Sequence, residues 1–218
     1  QFFKLCMGAG IRPPRAIKST LDSGCTGITG ALLEASSERR RTAGTVRVGV
    51  FECDELYTVR VLPRLKPTHF VLLNLFRDQL DRYGEIDHTQ DAIASALASS
   101  PETILIFNAD DPLCTAIADR VPNPRVAFGI QGATGTETSR MAESRFCAKC
   151  NATLEYEYLQ YGQLGAYRCP ACGWERPELE AWTHDVILSG DGYSFCLHLP
   201  GNTAEHAREL ALTTAYNG

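Results

Sequence analysis

The 218-residue chain contains no apolar run approaching the roughly 20 residues that a helix needs to cross a bilayer. Its first residues also lack the basic, apolar and small-residue order of a secretory leader, so a cytoplasmic protein is expected. Positive charge is scarce: 21 Lys and Arg stand against 26 Asp and Glu, a formal net charge of -5. Nucleic acid is therefore not an expected partner, because binding a phosphate backbone draws on a basic surface. Disorder and coiled coil are excluded by composition, since 44% hydrophobic and 22% charged residues are the balance of a chain that can fill a core.

Cysteine, by contrast, is plentiful. With no leader and an odd count of nine, a disulfide framework is not expected. Cys6, Cys25, Cys53, Cys114 and Cys196 are scattered singly through apolar surroundings and read as small buried hydrophobes. Cys147, Cys150, Cys169 and Cys172 instead form two CxxC pairs separated by 18 residues. Each CxxC can fold into a tight knuckle that points two thiolates at one metal, and the Tyr- and Leu-rich stretch between them can return as a β-hairpin. Four sulfurs close a tetrahedral shell with no open position for a substrate water, so the site predicts structural zinc rather than catalytic zinc. Within this segment Lys149, Arg168 and Arg176 are matched by Glu155, Glu157 and Glu175, so no basic patch results.

From about residue 45 short apolar runs alternate with helix-like segments. TVRVGVF (45–51), HFVLLNL (69–75), TILIFN (103–108) and RVAFGI (125–130) read as strands whose continuous apolarity suggests a parallel sheet covered on both faces. DHTQDAIASALAS (87–99) has one apolar helical face behind an acidic first turn. Asp111-Pro112 opens a second helix, running to about residue 120, with Pro in the favoured first position. The pattern predicts an α/β fold. Residues 131–144 are a polar connection, and HDVILSG with GYSFCLHLPG reads as a hairpin turning at Gly190-Asp191-Gly192. The closing EHARELALTTAYNG reads as the start of a helix that stops abruptly. The expected organisation is an N-terminal remnant with a first helix (1–44), an α/β core (45–144), a zinc ribbon insertion (145–177) and a return to the core that is cut short (178–218).

Open α/β sheets bind ligands beyond the carboxyl ends of their strands. The residues at those places are Glu52-Cys53-Asp54-Glu55, the stretch from Asn74 through Arg77-Asp78-Gln79 to Glu85, and Asn108-Ala109-Asp110-Asp111. Carboxylates converging on one crevice can hold Mg²⁺, and Arg can neutralise phosphate. The alternative is that the same acids are helix caps and first-turn residues, which stand at the same places for dipole reasons.

The order GVFECDE, then THFVLLNLFRDQLDRYGE, then ILIFNADDP, followed by a four-cysteine ribbon, resembles the central domain of the Mur ligase superfamily. The NLFRDQLDRYGE string with the inserted ribbon is similar to the MurT-type branch that amidates lipid II. The resemblance implies a three-layer, mostly parallel α/β domain with an inserted zinc ribbon. It also implies an enzyme that uses Mg²⁺ and ATP to activate the α-carboxyl of D-glutamate in lipid II. Ammonia from a GatD-like glutamine amidotransferase would then give D-isoglutamine, at the inner face of the membrane. By the same resemblance Glu52 would be the Mg²⁺ ligand, with Asp54 and Glu55 beside it, and Arg77, Asp78 and Gln79 would face the phosphates. Asn74, Asn108, Asp110 and Asp111 would complete the nucleotide site. Many Mur ligases carry His where Gln79 stands.

The glycine-rich phosphate loop of that superfamily does not appear in the chain. Lys18-Ser19-Thr20 has the right ending but no glycine before it, and DSGCTGITGALLEA (22–35) resembles the segment and helix that follow the loop. The chain is therefore expected to be a piece with little ligase activity alone. Two other readings compete: an amino-acid-adding Mur or folylpolyglutamate-type ligase, and a zinc-ribbon binding module without catalysis.

Overall fold

The computed structural model describes residues 3–7, 49–75, 85–133, 145–189 and 192–211. The expected helix at 22–35, the Lys18-Ser19-Thr20 segment and Arg77, Asp78 and Gln79, which the resemblance sets facing the phosphates, lie outside these residues. The chain divides into two compact units, one comprising residues 1–107 and 116–125, the other 108–115 and 126–218.

In the first unit, strands β1 (Phe3–Met7), β2 (Gly49–Cys53), β3 (His69–Leu72) and β4 (Ile104–Asn108) are joined in the order β4-β3-β1-β2. The β3-β4 pair is parallel, with Phe70 opposite Leu105 and Leu72 opposite Phe107. All four of those side chains are buried, while their neighbours along each strand are half-buried. Continuous apolarity thus serves one sealed face and one partly covered face. The first predicted strand differs in its pairing. It overlaps β2, which pairs antiparallel with β1, a strand that five residues of FKLCM did not announce.

A 3₁₀ turn (Glu55–Tyr57) leads from β2 into helix α1 (Thr58–Leu65), which buries Val61 and Leu62. That helix stops at Lys66, whose left-handed backbone (φ 44°) returns its N–H to Leu62 O. Helix α2 (Glu85–Ala98) buries Ile93, Ala94, Ala96 and Leu97, the apolar face expected from the sequence. Each fully buried leucine contributes about 1.5–3 kcal/mol by leaving water. Helix α3 (Pro112–Ala118) begins with the expected proline.

The second unit is built on β5 (Arg125–Ile130), β8 (Ala181–Ser189), β9 (Gly192–Leu199) and β10 (Asn202–Ala211), in the order β5-β8-β9-β10. Here β5 and β8 are parallel, and β8-β9 is the expected hairpin, closing at Ser189 opposite Gly192. The expected C-terminal helix is overturned. Residues 202–211 form β10, antiparallel to β9, with Ala207 opposite Cys196. EHARELA has good helix formers, yet pairing with the exposed edge of β9 satisfies its backbone and outweighs a propensity of a few tenths of a kcal/mol per residue. Strands β6 (Glu155–Tyr161) and β7 (Leu164–Arg168) form the ribbon's own hairpin. At Gly165 a Cβ would stand 2.1 Å from Tyr158 O, so only glycine allows that hairpin to close. The mixed α/β class with an inserted four-cysteine ribbon stands as expected.

Candidate functional site

The two CxxC segments fold alike. In the first, Cys147 N donates to Ala152 O at 2.8 Å and Asn151 N to Cys147 O at 2.9 Å. In the second, Cys169 N donates to Trp174 O at 2.7 Å and Gly173 N to Cys169 O at 3.0 Å. The residue after each second cysteine, Asn151 (φ 61°) or Gly173 (φ 75°), takes the left-handed conformation that turns the chain away once both sulfurs are placed. The β6-β7 hairpin then sets one knuckle against the other. Cys147 Sγ lies 3.6 Å from Cys172 Sγ, and Cys150 Sγ lies 3.5 Å from Cys169 Sγ. All four sulfurs fall within 4.8 Å of one another. Zinc–sulfur bonds of about 2.3 Å in a tetrahedron put sulfurs about 3.8 Å apart, so the arrangement matches a metal-holding shell.

The local electrostatics are those of a thiolate site. The backbone N–H of Cys172, then that of Ala171, hold Cys169 down to about 6 against desolvation. The N–H of Ala152 favours the Cys150 thiolate, but the neighbouring Cys169, burial, Cys172 and Cys147 together push that thiol up to about 12. Four sulfurs crowded together cannot all ionise without a cation, and an all-sulfur donor set suits a soft or borderline metal ion. Within the ribbon Tyr167 and Trp174 pack with ring centroids 5.2 Å apart, and both are buried, as are Leu154 and Leu179.

The strand-end residues fare differently from one another. In β2, Glu52 stands opposite Lys4 in the register. Asp54 caps the 3₁₀ turn, accepting Leu56 N at 3.1 Å, and Glu55 is half-buried with its carbonyl bonded by Thr58 Oγ1. Asn74 is half-buried just beyond β3. Asn108, Asp110 and Asp111 are brought together. Asn108 Oδ1 accepts Asp110 N at 3.0 Å, shaping the turn from its own side chain. Asp111 is fully buried and caps α3 by accepting Leu113 N at 3.0 Å, as the alternative reading of these acids has it. It also accepts Gln163 Nε2 at 3.0 Å from the ribbon.

Asp110 is nearly sealed. Its Oδ2 accepts Ile130 N at 2.7 Å and its Oδ1 accepts Arg176 Nη1 at 2.7 Å. Burial raises its carboxyl above the ordinary range, although Ile130 N–H and Arg176 oppose the shift. Beside this pair lies a cleft of about 290 Å³ lined by Asn108, Asp110, Phe128, Ile130, Gln160 and Trp182 among others. In the sequence Arg176 counts only toward the charge balance of the ribbon and not as a site residue. Its only signal there was a cation four residues past the last ribbon cysteine. Of the single cysteines, Cys53 and Cys114 are buried as expected and Cys196 is half-buried. Among the described residues no helix is long and apolar enough to cross a membrane.

No family model matches the chain. Over 157 residues, 71% of the chain, it is 35% identical to the lipid II isoglutaminyl synthase (glutamine-hydrolyzing) subunit MurT of Streptococcus pneumoniae. Over 156 residues, 70% of the chain, it is 36% identical to the MurT subunit of Staphylococcus aureus. The chain spans about a third of the length of these relatives, 34% and 33%. Among solved structures, a pseudomurein peptide ligase type C from Methanothermus fervidus superposes with a TM-score of 0.53 and 27% identity. That match covers 69% of this chain and 28% of the other. The resemblance to MurT therefore holds in sequence, and the fold matches that of a peptide ligase of the Mur ligase type.

Proposed function

We propose that this chain is part of the Mur ligase-like subunit of a glutamine-dependent lipid II amidating enzyme. The observation that supports this most directly is the likeness to MurT subunits over about 70% of the chain. In the proposed reaction an oxygen of the D-glutamate α-carboxylate attacks the γ-phosphorus of ATP and ADP leaves, giving an acyl phosphate. Ammonia, released from glutamine by a GatD-like partner, adds to the acyl carbon. Phosphate departs, a proton is lost, and the amide remains. The chemistry calls for positioning and for compensation of charge on the transferred phosphoryl group.

Glu52 is proposed to hold Mg²⁺, with Asp54 and Glu55 supporting it, and Arg77, Asp78 and Gln79 to face the phosphates. Asn74, Asn108, Asp110 and Asp111 are proposed to shape the nucleotide site. Magnesium would neutralise the phosphate oxygens during transfer. The ribbon cysteines are proposed to hold a structural zinc ion, which offers no open coordination position and so takes no part in the bond changes. The protein would work in the cytoplasm on the lipid-linked substrate at the membrane's inner face.

The test uses the complete protein with its amidotransferase. ATP turnover on lipid II should be supported by ammonia or glutamine and not by free amino acids. Turnover supported by an amino acid instead would replace this reading with that of an amino-acid-adding ligase. Glu52→Gln should lower turnover by orders of magnitude across a Mg²⁺ titration while leaving the fold unchanged.

A further inference from the structure

The ribbon carries a set of bonds that its own metal does not require. Arg176 Nη1 reaches Asp110 Oδ1 at 2.7 Å and Ile130 O at 3.2 Å, and its guanidinium lies 5.5 Å over the Tyr158 ring. Tyr158 donates its hydroxyl to Ile130 O and accepts Gly132 N, each at 3.1 Å. Gln160 Nε2 donates to Gly132 O at 2.6 Å, and Gly165 N donates to Asp110 O at 2.9 Å. Every one of these bonds ends on the turn after β4 or on the end of β5 and the residues just past it. A knuckle that only needed to fold around its ion would place none of them there.

The position of Arg176 is itself fixed by the second knuckle. Its N–H donates to Tyr167 O at 3.0 Å, next to the Arg168–Glu175 bridge and the Cys169 N to Trp174 O bond. The side chains of Arg176 and Asp110 are 13% and 3% exposed. A charge pair so deeply buried pays heavily in desolvation, and its chief return is a unique geometry. That geometry is passed to residues 108–111, where Asn108 Oδ1 in turn holds Asp110 N.

We propose that Arg176 is a positioning residue that couples metal occupancy of the four-cysteine ribbon to the shape of the turn at residues 108–111, and through that turn to nucleotide binding. The last link rests on the reading of that turn as part of the nucleotide site. With the metal gone, the second knuckle loosens, the guanidinium loses its fixed approach, and the Asp110 carboxylate is left buried without its partner. The turn then relaxes. The ribbon acts as a brace whose metal keeps the turn in shape.

The experiment uses the full-length protein with its amidotransferase partner, Mg·ADP as the probe in calorimetry, and elemental analysis of the same samples. Arg176→Met should keep its metal and bind Mg·ADP at least about tenfold more weakly. Arg176→Lys should recover part of that loss, because an ammonium can reach Asp110 but lacks the planar group that lies over the Tyr158 ring. Metal-stripped wild type should lose the same factor, and stripping Arg176→Met should cost nothing more. The double variant Asp110→Asn/Arg176→Met leaves no buried unpaired charge, so it should melt close to wild type while its affinity stays insensitive to stripping.

Losses that multiply, or an Arg176→Met protein that binds as well as wild type, would overturn the proposal. If loaded wild type binds no Mg·ADP, the nucleotide reading of the turn is what fails. Hydrogen exchange at the Ile130 and Gly132 amides then decides the coupling. Protection lost on stripping wild type, with no further loss in Arg176→Met, upholds it, and protection unchanged by stripping overturns it.

Discussion

Gly129 lies so close beneath the Asp110 carboxylate that a Cβ built on it would stand 2.6 Å from Oδ1 and 2.9 Å from Cγ. No side chain occupies such a distance without something moving. Asp110 cannot swing away cheaply, because Ile130 N and Arg176 hold its two oxygens. Gly129→Ala should therefore destabilise the protein by about 1–3 kcal/mol, the usual cost of overpacking a well-filled site. A shift in the denaturation midpoint checks this, and an unchanged midpoint would mean that the carboxylate has room the packing denies it.

Metal content gives a second prediction. Freshly purified full-length protein should carry one zinc ion per chain, and Cys150→Ser should lose it. An apparent binding free energy on the order of 10–16 kcal/mol goes into folding such ribbons. Amide protection should fall across β6 and β7 while β3, β4 and α2 keep theirs. Loss of protection throughout the chain would mean that the ribbon's metal supports the whole fold.

The third prediction concerns pH. Burial raises the Asp110 carboxyl, so the folded chain keeps its proton at a pH where the unfolded chain has already lost it. The native state then binds more protons in that window. Stability from this group is fully present below the unfolded pKa and declines as pH rises from the ordinary carboxylate range through the raised value. The stability of wild type relative to Asp110→Asn should accordingly fall with rising pH across that interval. A difference that grows instead would show that Arg176 outweighs burial at this carboxyl.

A fourth prediction probes the core of the first unit. Leu97 is fully buried on α2, and Leu97→Ala should cost about 2–5 kcal/mol from lost burial and the cavity left behind. Val59→Ala, on a residue 40% exposed, should change the midpoint by less than about 0.5 kcal/mol. Equal effects at the two positions would contradict the assignment of the buried faces.

What could be read from the chain follows from how locally each feature is encoded. The cysteine site was legible because its ligands are written as two short-range pairs, and each knuckle closes with bonds inside six residues. Strands β3, β4 and β5 were legible because short continuous apolar runs bounded by turn residues have few other uses in an α/β domain. The Asp111 cap is legible as one of two readings because Asp-Pro opens helices for reasons of backbone chemistry alone. Strand β10 was misread because its helix formers are overruled by a partner, β9, that only the tertiary fold supplies. The Asp110–Arg176 pair was not legible at all. Its members stand 66 positions apart, and nothing near either residue marks it for the other.

The most direct measurement of the proposed activity follows the amide nitrogen. Full-length protein, its amidotransferase, ATP, Mg²⁺, lipid II and glutamine isotopically labelled at the side-chain amide are incubated together, and the lipid II peptide is analysed by mass spectrometry. The account predicts labelled nitrogen on the α-carbonyl of the D-glutamate residue, with one ATP converted to ADP per amide formed and no label in the Glu52→Gln protein. ATP turnover with unlabelled, unamidated lipid II, or amidation that proceeds without ATP, would contradict it.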